Sequence, residues 1–217
     1  MDNSVNPDKD TRAPLFCFEG IDGCGKSTLI KNLLAKFEEN KTPCTSFAFP
    51  SKDGAVGSLI HLVFTGDMDV EPDAMCHLMV ADAIDWDSKV NTLRQAGTTV
   101  LFDRHASVSG WVYQTERWSL EYVLNVLQCA QFHSPSLIFI LDVAVETALA
   151  RMKARGALNK LYEHDNAEYV SRLRSRYIAY GLTHPGTLLL DGDLPPAELA
   201  DAAWSVMQAY SQRCKKE

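Results

Sequence analysis

The sequence predicts an α/β fold, a doubly wound five-stranded parallel sheet flanked by helices, and two observations carry the prediction. Five runs, LFCFE (15–19), TSFAF (45–49), TTVLFD (98–103), SLIFILD (136–142) and TLLLD (187–191), are continuously apolar, and helix-length segments separate them. Strands buried on both faces read this way because crossover helices cover each side of the sheet. The first run also leads straight into a glycine-rich turn and then a helical pattern, placing that turn at the carboxyl end of a strand, where open α/β sheets bind ligands.

The elements follow in order. After the first strand, Leu29, Ile30, Leu33, Leu34 and Phe37 recur at helical spacing, and the pattern fades in EENKTP at 38–43. Residues 72–96 form a long helical stretch before the third strand, placed to wall a substrate cleft. Residues 151–165 carry Arg151, Lys153, Arg155, Gly156 and Lys160 between two helices and read as a small basic lid. A last helix from Pro195-Pro196 turns Leu199, Ala203, Val206 and Met207 to the core. The polar opening MDNSVNPDKDTR predicts a disordered tail over 1–13, leaving 14–217 as one domain.

Composition excludes several classes. A net charge of -7 argues against a nucleic-acid partner, although a few focused cations still suit a small anion. No apolar run approaches the roughly 18 residues that span a bilayer, so no membrane partner is expected. The six cysteines are scattered without a C-x-x-C pair, which predicts reduced thiols and a cytoplasmic protein.

Gly20-Ile21-Asp22-Gly23-Cys24-Gly25-Lys26-Ser27 fits G-x-x-x-x-G-K-S/T between a strand and a helix, the signature of a P-loop NTPase. Glycines turn backbone N–H groups inward around phosphate oxygens, and the helix dipole adds attraction. Gly20, Gly23, Cys24, Gly25, Lys26, Ser27 and Thr28 are therefore expected to hold ATP. Lys26 would reach the terminal phosphates, and the Ser27 hydroxyl would ligate Mg²⁺. Asp103, at a strand end, is the second expected metal group, and Arg104 beside it is suited to clamp an acceptor phosphate.

Phe18-Glu19-Gly20-Ile21-Asp22-Gly23-Cys24-Gly25-Lys26-Ser27-Thr28 resembles the F-E-G-x-D-G-x-G-K-S/T-T opening of thymidylate kinases. Phe49-Pro50, Asp103-Arg104-His105, Val112-Tyr113-Gln114 and Arg155-Gly156 are similar to that family's later motifs, in the same order, over about residues 15 to 213. The resemblance implies an ATP- and Mg²⁺-dependent kinase of a nucleoside monophosphate, working as a homodimer. It implies that Asp22 touches the acceptor sugar and the metal region. Lys52 and Arg104 would meet the acceptor phosphate, Met79, Ser109, Tyr113 and Gln114 would line the acceptor site, and the loop at Asp191-Gly192-Asp193 would seat adenine. Among the basic residues Arg151, Lys153, Arg155 and Lys160, one is expected to close over the phosphates in the transition state, with Lys160 nearest the family position.

The chain also departs from that family. Its base-reading segment L-L-F-x-A-N/D-R, whose Phe stacks on thymine and whose Arg hydrogen-bonds the base, is here Leu78-Met79-Val80-Ala81-Asp82-Ala83. Met79 keeps a polarizable apolar contact, but Ala83 donates nothing. An altered or relaxed acceptor, such as a 5-substituted deoxyuridylate, is the expectation. Two other readings stay open from sequence: a deoxynucleoside or other small-molecule kinase, and a nucleotide-dependent switch with a degenerate acceptor site.

Overall fold

The structure, a computed structural model, describes residues 12–115, 118–130, 132–155 and 166–214. Because LFCFE is apolar at every position before Glu19, β1 (Leu15–Glu19) is buried throughout and takes the middle of the sheet. Around it lie β2 (Cys44–Ala48), β3 (Thr99–Asp103), β4 (Leu137–Asp142) and β5 (Thr187–Asp191), all parallel, in the order β2-β3-β1-β4-β5. Chain direction therefore diverges on either side of β1, which opens the ligand crevice at its carboxyl end.

Eight helices connect the strands among the described residues: α1 (Lys26–Glu39), α2 (Gly54–Thr65), α3 (Pro72–Gln95), α4 (Ala106–Gln114), α5 (Leu120–Ala130), α6 (Val145–Arg155), α7 (Ala167–Thr183) and α8 (Pro196–Cys214). The buried stripe of α1, Leu29, Ile30, Leu33 and Phe37, packs toward the sheet and α8, where Phe37 meets Trp204 edge to face at 4.9 Å. Phe18 stacks on Phe139 at 5.2 Å across β1 and β4. Arg174 of α7 makes a bidentate bond to Asp142 at the end of β4, 2.6 and 2.9 Å, fixing α7 beside the crevice.

The predicted strands hold to within a residue, with one informative shift. Phe49 lies past β2 in a turn through a cis Phe49–Pro50 bond, and its N–H donates to the Asp103 carbonyl at 2.9 Å. The chain is already tied down at Ala13, inside the expected tail: Arg94 Nε donates to its carbonyl at 2.7 Å and its N–H donates to Arg94 at 3.0 Å. The lid needs a correction as well. Arg151, Lys153 and Arg155 form the last turns of α6, not a flap, because the apolar positions Val145, Ala148 and Met152 extend the buried helical stripe that far. Lys160 and the rest of 156–165 lie outside the described residues. No helix among the described residues is long and apolar enough to cross a membrane.

Candidate active site

The turn after β1 is closed by packing that only glycine permits. A Cβ on Gly20 would stand 2.6 Å from the Leu141 carbonyl oxygen, and Gly25 caps α1 with φ 107, in the left-handed region. Lys26 begins α1 and folds back into the turn, its ammonium 3.1 Å from the Gly20 carbonyl and 3.3 Å from that of Ile21, with only 6 % exposure. Gly23, Gly25, Lys26, Ser27 and Thr28 line one cavity of about 290 Å³, together with Lys52, Asp103, Arg104 and Arg155. Gly20 and Cys24 sit behind that surface, the Cys24 side chain wholly buried. Arg151 turns elsewhere. Its guanidinium rests on the carbonyls of Gly23 (3.4 Å), Cys24 (3.4 Å) and Gly192 (3.3 Å), beside the loop expected to seat adenine.

Ser27 donates its hydroxyl to Asp103 at 2.9 Å, joining the first turn of α1 to the end of β3. Both are hard oxygen donors near an expected phosphate site, and no group of three or more His, Cys, Asp or Glu that could hold a metal occurs among the described residues. One carboxylate and one hydroxyl fit Mg²⁺, which keeps waters and takes phosphate oxygens, better than they fit an ion needing an all-protein cage.

Arg104 is the centre of the acceptor side. It is one of two described non-glycine residues at positive φ, 73°, a conformation costing on the order of 1 kcal/mol that re-aims its side chain into the crevice. Its guanidinium bonds the Asp22 carboxylate, donates to the Tyr177 hydroxyl at 2.6 Å and lies over the Tyr113 ring at 5.2 Å. Asp22 thus stands between the two sides, bonded to Arg104, 4.0 Å from the Lys26 ammonium and lining the donor cavity as well. Arg104 and Asp22 also line a second, mostly apolar cavity of about 130 Å³ with Met79, Ser109, Tyr113 and Gln114. The expected acceptor residues therefore converge, Lys52 from the donor side and the rest around this cavity.

Sequence reasoning missed the group that organises this cluster. Glu19 is fully buried and accepts from the His105 N–H (2.8 Å), the Ser109 hydroxyl (3.1 Å) and the Tyr177 hydroxyl (3.0 Å), with Arg104 3.8 Å away. Burial raises the Glu19 pKa, while the Arg104 charge and the His105 N–H oppose the rise. A buried carboxylate without these partners would be very costly, so the four groups hold each other in place. Only the charge of Glu19 inside an apolar strand signalled this in the sequence; Tyr177, 158 residues away, signalled nothing.

Comparison with known proteins agrees with this geometry. The family model described as thymidylate kinase matches residues 18–201. The chain is 27 % identical over 194 residues to the thymidylate kinase of Leptospira borgpetersenii, covering 86 % of this chain and 89 % of that protein. It is 31 % identical over 160 residues to a putative thymidylate kinase of Treponema pallidum, covering 71 % and 74 %. It is 27 % identical over 208 residues to the thymidylate kinase of Thermomicrobium roseum, covering 92 % and 96 %. With the phosphate loop, the Asp103-Arg104 pair and the acceptor cavity meeting at one crevice, this chain belongs to the thymidylate kinase family.

Proposed function

We propose that the protein transfers the γ-phosphate of ATP to dTMP or a related 5-substituted dUMP, giving the diphosphate. The observation that carries this reading is that Lys26, Ser27 and Asp103 line the same cavity as Arg104, which also opens onto the apolar acceptor cavity. Phosphoryl transfer asks mainly for positioning and charge stabilisation. The loop amides and Lys26 hold the donor phosphates, and Arg104 with Lys52 holds the acceptor phosphate in line with them. Asp22 orients Arg104 and faces the sugar. Mg²⁺ held by Ser27 and Asp103 would neutralise charge on the donor phosphates. Arg155, exposed at the end of α6 on the donor cavity, is the described lid-side cation placed to act on the transition state, with Lys160 as its partner in that role.

The geometry favours this over the two other readings. An acceptor cavity bounded by an oriented arginine is not a degenerate site, and a cation there suits a phosphorylated acceptor better than a bare nucleoside. A homodimer is what the family resemblance implies, and Leu59 and Leu62 of α2 and Ile84 of α3 are three of the seven large hydrophobic side chains exposed among the described residues. The five free thiols among the described residues suit the reducing cytoplasm.

ADP release with ATP and Mg²⁺, measured alone and with a panel of nucleoside monophosphates, tests the function. Turnover is expected only with a monophosphate, with dTMP or a 5-substituted dUMP ahead of dCMP and dGMP, and Lys26→Ala should lower kcat about 10²-fold or more. The same assay on Arg155→Ala and Lys160→Ala assigns the lid cation by loss of kcat. ADP release indifferent to monophosphate, or favouring thymidine over dTMP, would sink the reading.

A further inference from the structure

A third cavity, of about 200 Å³, lies against α3 beyond the acceptor cavity. The two share Phe49 and Ala106 as lining, so these two residues lie at their common boundary. Ala83 lines the third cavity, one helical turn after Met79 of the acceptor cavity, and it stands where a base-bonding arginine would be expected. A methyl in place of such a side chain leaves a void on the far side of Phe49 and Ala106 from the acceptor cavity.

The lining has a chemical character. Three carboxylates, Asp53, Asp82 and Asp87, border the cavity. Asp87 is bonded by His133, whose N–H and ring nitrogen each lie 2.7 Å from its oxygens. Asp82, 1 % exposed, accepts from the Ser51 N–H at 2.6 Å and the Ser51 hydroxyl at 2.5 Å, which leaves each oxygen a further lone pair. Burial raises the pKa of Asp82, an effect its bonds to Ser51 oppose. Lys52 is the one lysine or arginine of the same lining, so carboxylates outnumber it and the wall as a whole favours a hydrogen-bond donor over an anion.

We infer that this cavity is a subsite for a substituent on C5 of the acceptor pyrimidine, larger than methyl and carrying a hydrogen-bond donor, as in 5-hydroxymethyl-dUMP. The inference rests on the kinase reading above and names its acceptor. C5 lies beside the O4 carbonyl on the edge away from the pairing face, so a substituent there extends outward without altering the rest of the base. The added hydroxyl needs on the order of 30 Å³, which the cavity exceeds.

Steady-state kinetics with 5-hydroxymethyl-dUMP, dTMP, dUMP and 5-carboxy-dUMP, on the wild-type chain and on Ala83→Arg and Ala83→Leu, test the subsite. In the wild type, kcat/KM for 5-hydroxymethyl-dUMP should equal or exceed that for dTMP and exceed that for 5-carboxy-dUMP at least tenfold. Either substitution, by filling the cavity, should lower the ratio of kcat/KM for 5-hydroxymethyl-dUMP to that for dTMP at least tenfold. A tenfold wild-type preference for dTMP, or a ratio unmoved by both substitutions, would overturn the inference. Should no monophosphate turn over, the kinase reading falls by itself, and calorimetric binding of the same four nucleotides decides the subsite by the same ratios.

Discussion

Arg104 has no slack. Its backbone sits in the left-handed region, and its guanidinium is shared between Asp22 and the Tyr177 hydroxyl, which passes a hydrogen bond on to Glu19. A Tyr177→Phe substitution removes that relay while keeping the ring in the core. KM for the acceptor monophosphate should rise about tenfold, roughly 1.4 kcal/mol, with KM for ATP unchanged. A purely structural tyrosine would lower stability and leave the two KM values in their wild-type ratio, so titrating both substrates separates the cases. Lys26, Asp103 and Arg104 stand out in the sequence because short motifs at strand ends announce them, whereas Glu19 showed only as a charge in an apolar strand. Tyr177 was not legible, since a tyrosine at a helical core position looks the same whether or not its hydroxyl carries a load.

At the scale of elements, β1, β3 and β4 were readable because their burial leaves few polar positions to blur them, whereas α6 overran the expected lid because its apolar stripe continues among basic residues. The start of α4 shows how a cap imports a pH dependence. His105 occupies the cap position, its Nδ1 accepting from the Ser107 N–H at 3.3 Å, and burial lowers its pKa to about 4. The folded value lies below the ordinary 6.5, so the unfolded chain binds the proton first. His105 therefore leaves stability intact above about pH 6.5 and erodes it as pH falls toward 4, by up to about 3 kcal/mol. His105→Asn keeps a cap acceptor that does not titrate, and urea unfolding between pH 7 and 4 should show a flatter loss for the variant. Equal slopes would remove His105 as the cause.

For the whole molecule, the exposed leucines of α2 and Ile84 of α3 predict self-association, and sedimentation at tens of micromolar should give twice the mass of one chain. A single-chain mass would refute the homodimer. The doubly wound sheet of five parallel strands followed from chain pattern alone, but the separate cavity behind Ala83 did not, because an alanine in a helix declares nothing about the void its small size leaves. Glu19 ends with a consequence for catalysis. It is covalently the residue before Gly20, where the donor turn begins, and it also grips the groups that aim Arg104. On the proposed assignment, one peptide link thus ties the donor turn to the groups that aim Arg104, in place of a meeting of two independent loops.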